Sequence, residues 1–237
     1  MKNVDGVLLV DKDPDMTSHD VVAVARKTLG QKKIGHCGTL DPMATGLLIL
    51  TLGKGTKIQD LLMAEDKEYV GTVKLGEETT TQDKQGEIVS TKDVPELSDE
   101  DVISVLEKFK GDFYQTPPMV SAIKKDGVPL YKLARQGKEV KRDPRLVHVY
   151  DYELTSFNLP NFDFRVVCSK GFYVRTYAHE IGSKIGCGAH LSALRRTKSG
   201  KFSANGAVTF SELKNGTRES VASSALSLAE VSRLRGV

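Results

Sequence analysis

Only three cysteines occur in the 237 residues, Cys37, Cys168 and Cys187. They are odd in number and far apart, and with no CxxC pair and no HExxH the chain supports neither a disulfide framework nor a zinc site. GxxxxGK[ST] is also missing, and GHCG is not GxGxxG, so the familiar phosphate-cradling loops are not present. No long apolar run exists. The longest, Gly46 to Leu52, is far too short to cross a bilayer, and the four apolar residues behind Asp5 in MKNVDGVLLVDK do not read as a signal peptide. There is no internal repeat and no low-complexity linker. These absences lead to the expectation of a cytoplasmic globular protein with free thiols and no membrane association.

What is present fits that class. Hydrophobic residues make up 39% and charged residues 27%, enough for a substantial core in one large domain or two small ones. The net charge of +3 is small but unevenly spread. Lys124 to Arg145 holds eight Lys/Arg against three acids, and Arg165 to Lys201 eight against one, whereas Asp93 to Glu107 holds six acids and no base. Any single charge run is most simply a solvated helix face. Basic segments interleaved with Tyr131, Phe172, Tyr173 and Tyr177 favour a polyanion, because cations draw phosphates and aromatic rings can stack on bases.

Local patterns predict a strand over Val7 to Val10 and a helix from Ser18 to Leu29 closed by Gly30. A buried strand over Gly46 to Leu52 and a strand over Tyr69 to Leu75 follow, with Ile88 to Ser90 able to pair with the latter. Ser98 and Asp101 form a capping box before an amphipathic helix ending at Gly111, whose outer face takes up the acidic run. Strands are expected at Val147 to Leu154 and Phe162 to Cys168, and helices at Val174 to Ile185, His190 to Arg196 and Ser220 to Leu234. Together these give one α+β domain, 1–237, with an extended mixed sheet.

The stretch GHCGTLDPMATGLL, residues 35 to 48, asks for chemistry. Pro42 pushes Asp41 out of the helical region, and Gly35, Gly38 and Gly46 permit close backbone approach. Asp41 held this way can face a cleft, or it can merely cap a turn. A Cys37 nucleophile paired with His36 is a lesser option, since neighbours in a loop seldom aim at one another.

These residues closely resemble the motif of the TruB family of tRNA pseudouridine synthases. The resemblance continues through LLVDKDPDMTS, KEYVGTVKLGEETTTQD, TPPMVSAIKKDGVPLYKLARQGKEV and CSKGFYVRTYAHEIGSKIGCGAHLSALRR, five segments in the family's order. It implies a pseudouridine synthase fold, an α+β architecture with an extended, mainly antiparallel sheet flanked by helices. It implies that Asp41 is the nucleophile, that Arg175 pairs with it, and that Tyr69 lies against the target base. It also implies that His36 contacts the RNA, that Tyr173 and Leu194 shape the uracil pocket, and that Asp83 is an acidic residue near the site. Cys37 stands where the family usually has threonine and Val120 where an aromatic is usual; both bear on packing or RNA fit rather than on the reaction. No C-terminal PUA or other RNA-binding domain is expected after Val208.

The implied reaction breaks the N1–C1′ bond of a uridine, turns the uracil, and joins C5 to the same sugar carbon. Nothing is oxidised or added, so no cofactor and no metal are implied. Asp41 must be ionised, and whether it adds to the base or abstracts a sugar proton is left open. A stacked uridine must be flipped out, at a cost of roughly a few kcal/mol. The implied partner is the T-stem-loop of tRNA, modified at position 55 by a monomer without guide RNA. Lys124, Lys125, Arg135 and Arg142 are candidates for its phosphates. Two other readings stand beside this one: an RNA chaperone that folds tRNA, and the catalytic subunit of a guide-RNA-dependent synthase.

Overall fold

The computed structural model describes residues 3–121, 123–125, 127–134 and 136–236, the side chain of Lys125 excepted. In chain order the elements are β1 (Gly6–Lys12), α1 (Ser18–Leu29), β2 (Ile34–Cys37), β3 (Thr45–Leu52), a 3-10 turn (Gly53–Ile58), α2 (Gln59–Met63) and β4 (Lys67–Leu75). Next come β5 (Glu77–Thr79), β6 (Ile88–Thr91), α3 (Asp99–Glu107), β7 (Gly111–Gln115), β8 (Lys124–Lys125), β9 (Val128–Pro129) and α4 (Leu130–Ala134). Then follow β10 (Arg145–Asn158), β11 (Asn161–Cys168), α5 (Val174–Ile185), β12 (Ala189–Ser199), β13 (Phe202–Ser203), β14 (Val208–Thr209), α6 (Phe210–Asn215), α7 (Arg218–Ser223) and α8 (Leu228–Arg235). The α+β class and the extended mixed sheet are as the sequence implied: ten strands join in the order β14-β1-β3-β12-β4-β11-β10-β7, with β2 on β3 and β13 on β12. By contact the chain forms two compact units, Met1–Tyr69 with Arg195–Val237, and Val70–Leu194.

In the first unit β1 runs antiparallel to β3, from Gly6 opposite Leu52 to Lys12 opposite Gly46. From Gly46 to Leu52 every residue of β3 is buried, so both faces of this strand are covered, which is why it reads as a continuous apolar run. Val7, Cys37, Leu47, Ile49, Leu62, Phe202 and Val231 form one core cluster. Helix α1 begins and ends where its signals lie. Thr17 and Asp20 make a capping box, and Gly30 closes the helix in the left-handed conformation.

The expected helix over Ser220 to Leu234 is broken in two. Leu226 exchanges main-chain hydrogen bonds with Val7 (2.7 and 2.9 Å), and Ser227 then caps α8 afresh. His190 to Arg196, expected as a helix, is instead the body of β12. Its Ala, Leu and Arg suit a helix, but propensity is a weak force beside sheet pairing. Arg195 and Arg196 pair with Thr45 and Gly46, and burial alternates along Leu194, Arg195, Arg196 and Thr197.

In the second unit β10 is flanked by β7 and β11, both antiparallel to it. Phe109, Phe113, Phe164, Phe172 and Tyr177 pack edge-on or tilted, with centroids 5.2 to 6.2 Å apart. Phe172 and Tyr177 are therefore core residues, not platforms for bases. Ile88 to Ser90 pairs with β5 rather than β4, because the chain turns at Gly76, which has a positive φ, before the pairing strand begins. The Ser98/Asp101 capping box opens α3 as expected. The helix stops at Glu107, and Gly111 starts β7.

Candidate active site

Asp41 sits half-buried in the loop between β2 and β3. Its main-chain carbonyl accepts from the Ala44 N–H at 3.0 Å, closing a turn with Pro42 as the second residue, where its fixed φ is suited. The loop is supported from below by buried polar side chains. Ser18 Oγ accepts from the Leu40 N–H at 2.8 Å and donates to the Leu40 carbonyl at 3.1 Å. Lys12 is fully buried on β1, and its Nζ donates to the carbonyls of Asp13 (2.9 Å), Met16 (2.7 Å) and Pro42 (3.2 Å), using all three of its N–H groups. Burial pulls the Lys12 ammonium down to about 8, and the charge of Asp41 is the strongest of those that oppose the fall.

Arg196, only 1% exposed, donates from Nε to the Leu47 carbonyl at 2.7 Å and from Nη2 to the Gly38 carbonyl at 3.1 Å. The fit is close. Gly46 has φ +95°, and a Cβ there would stand 2.3 Å from the carbonyl oxygen of Arg196. His36 lies on β2, where burial and then the charge of Arg196 hold its imidazole below the usual range. Cys37 is fully buried in the core, and burial pushes its thiol up to about 12. A thiol so held supplies no thiolate at neutral pH, which removes the Cys37 nucleophile. Tyr69 is on the buried face of β4.

In the second unit Arg175, at the start of α5, is a buried residue and not a surface cation. It donates to the carbonyls of Thr81 (3.0 Å) and Val120 (2.7 Å), and its Nε lies 3.6 Å from Asp83 Oδ2. Asp83 is also buried, and its Oδ1 accepts from Thr81 Oγ1 (2.6 Å) and the Gln85 N–H (3.0 Å). Tyr173 is half-buried ahead of α5. The side-chain amide of Gln115, itself buried, accepts from its N–H at 2.7 Å and donates to its carbonyl at 3.1 Å. Leu194 is buried on β12, on a strand rather than the expected helix.

Within the first unit, then, Asp41 and His36 share one loop and its flank, and within the second Arg175 and Asp83 form a pair. Sequence reasoning missed the supports: Ser18, Lys12 and Arg196 below Asp41, and Gln115 behind Tyr173. Their partners are main-chain groups, which leave no complementary residue to find in the sequence.

The two basic segments are built differently. Lys124 is exposed on β8, and with Lys141, Arg142 and Arg145 it lines a cleft of about 260 Å³ over Ile123 and Leu130. Arg142 donates to the Pro117 carbonyl and to Glu139, both at 3.2 Å. Arg135 and the side chain of Lys125 lie outside the described residues. In the other segment Arg165 pairs with Asp151 and Glu153, Arg195 with Asp11 (2.6 and 2.9 Å), and Lys198 with Glu68 (3.1 Å). Lys184 lies over the Phe109 ring at 5.2 Å.

Comparison with known proteins identifies the family of the chain. Residues 26–174 match the model of the TruB family pseudouridylate synthase N-terminal domain, and residues 175–232 that of the tRNA pseudouridylate synthase B C-terminal domain. The chain belongs to the TruB family of pseudouridylate synthases. It is similar to tRNA pseudouridine synthase B of Opitutus terrae, 56% identical over 213 residues that cover 90% of this chain and 88% of the relative. It is likewise similar to tRNA pseudouridine synthase B of Syntrophotalea carbinolica, 49% identical over 230 residues, covering 97% and 75%. Among solved structures it resembles a chain of the crystal structure of a Cbf5-Nop10-Gar1 complex, with TM-score 0.74 and 30% identity over 98% of this chain. The TruB-family chain spans about three-fifths of that protein's length, 62%. Among the described residues no helix is long and apolar enough to cross a membrane.

Proposed function

We propose that this pseudouridine synthase isomerises the T-loop uridine at position 55 of tRNA, as a cytoplasmic monomer that needs neither guide RNA nor cofactor. The observation that carries the reading is the half-buried Asp41 in a loop fixed from below by Ser18, Lys12 and Arg196. It is supported by relatives about half identical in sequence that bear the name tRNA pseudouridine synthase B.

The chemistry follows from the residues. Asp41 is the nucleophilic carboxylate, and its charge is the strongest of those that support the ammonium of Lys12 against burial. The uridine is flipped to reach it. His36, kept neutral by burial and by Arg196, fills the vacated place in the RNA loop as an uncharged ring. Tyr69 offers the extruded uracil a flat face. Tyr173 and Leu194 bound the base and exclude water, and Arg175, held by Asp83, steadies the reacting anion, as the family resemblance implies. Lys124, Lys125, Arg135 and Arg142 hold the stem by its phosphates.

The test is Asp41→Asn, which keeps the shape and loses the charge. Isomerisation should fall by several orders of magnitude, about 5 kcal/mol or more of barrier, while RNA binding persists. Single-turnover rates near wild type would remove Asp41 from the reaction. The wild-type chain should also act on an isolated T-stem-loop in EDTA, and activity appearing only with a further RNA would favour the guide-dependent reading instead.

A further inference from the structure

The peptide groups on both sides of Asp41 are held by side chains from elsewhere in the first unit. On the near side, one hydroxyl, Ser18 Oγ, takes both main-chain groups of the buried Leu40, accepting at 2.8 Å and donating at 3.1 Å. At the start of the loop and on β3 beyond it, one guanidinium takes the carbonyls of Gly38 and Leu47, at 3.1 and 2.7 Å. Asp41 spends its own carbonyl on the turn to Ala44. The residue therefore has little backbone freedom, and the point from which its side chain leaves the main chain is set by these contacts.

We propose that Ser18 and Arg196 are positioning residues of the isomerisation, a serine hydroxyl and a buried guanidinium that aim Asp41 by gripping the main chain around it. The inference rests on Asp41 being the reacting carboxylate. Neither role can be filled by bulk alone. Alanine at Ser18 leaves the Leu40 N–H and carbonyl buried without that partner. Lysine at Arg196 keeps the charge but lacks the planar fork that reaches two carbonyls at once. A reacting group displaced by about 1 Å loses about 10²-fold in rate, and that is the scale of effect expected.

Wild type, Asp41→Asn, Ser18→Ala and Arg196→Lys are compared on a T-stem-loop RNA. Single-turnover rates at saturating protein are set beside dissociation constants and melting curves. For Ser18→Ala, still folded at the assay temperature, the saturated rate should drop by about 10²-fold with the dissociation constant little changed. Arg196→Lys should show the same split between rate and affinity. A purely structural role would instead lower both in step with the folded fraction, and that result overturns the proposal. So does a folded Ser18→Ala protein with the wild-type saturated rate. If Arg196→Lys does not fold, Ser18→Ala decides alone. A wild-type rate in Asp41→Asn would overturn the reading of Asp41 beneath it, an outcome separate from any failure of Ser18→Ala.

Discussion

The segments 124–145 and 165–201 each carry eight lysines and arginines, and the described ones are used differently. In the first, Lys124, Lys132, Lys138 and Arg145 are exposed, and a cleft gathers several cations over an apolar floor. In the second, Arg175 and Arg196 are buried, Arg165, Arg195 and Lys198 are paired with acids, and only Lys170 and Lys201 of the eight are exposed without a partner named above. Equal numbers of cations in sequence are thus unequally offered at the surface. A cation offered to a polyanion must keep its hydration until the partner arrives, whereas one used inside the fold has already exchanged water for carbonyls and carboxylates.

The largest expected effect breaks that contrast at its buried end. Arg175→Ala leaves the Asp83 carboxylate buried beside a missing cation, and should cost about 3–5 kcal/mol of stability by denaturant titration. Adding Asp83→Asn should recover part of the loss, since neither charge is then stranded. If Arg175 served only as surface charge, RNA affinity would change and stability would not. A smaller effect probes the exposed end. If Lys124 and Arg142 hold phosphates, the double alanine variant should bind RNA more weakly. Its dependence of log affinity on log salt should be shallower by about one to two units. An unchanged slope would make this segment a solvated face.

The smallest effect concerns Glu180, the one acid of the second segment. Burial pushes its carboxyl up to about 7, against the pull of Lys184. Its folded value is above the unfolded one, so the folded state binds more protons, and its contribution to stability is complete below about pH 4.5 and lost as pH rises through about 7. Glu180→Gln should therefore melt later than wild type at pH 8, with the gap closing toward pH 5. An equal gap at both values would show that Glu180 does not titrate in this window.

Much of the fold was legible because its signals are local. The Thr17 cap and Gly30 bound α1, the Ser98 box starts α3, and the unbroken apolar run of β3 announces a strand covered on both sides. What was illegible depends on partners distant in the chain. Residues 190–196 have helical composition and become β12 because strands distant in the chain, β3 and β4, pair with it. Leu226 breaks the last helix because Val7 takes its main-chain groups. Of the candidate site, the motif around Asp41 could be read, but its supports could not. Phe172 and Tyr177 show the converse error, since nothing in an aromatic residue's immediate neighbours tells a core ring from an exposed one.

The grip of Arg196 on Gly38 joins residues 158 positions apart. A ribosome delivers the motif early and its clamp late. A nascent chain that has not yet emitted β12 holds the Asp41 carboxylate on a loop with loose ends, whatever local turn it has formed. Contacts of such long separation are among the last to close in folding, because they must first overcome the entropy of the intervening chain. If Asp41 is the reacting carboxylate and Arg196 aims it, as proposed above, catalytic competence is a late event in the life of each molecule, and an unfinished chain meeting RNA lacks the aimed carboxylate needed to modify it.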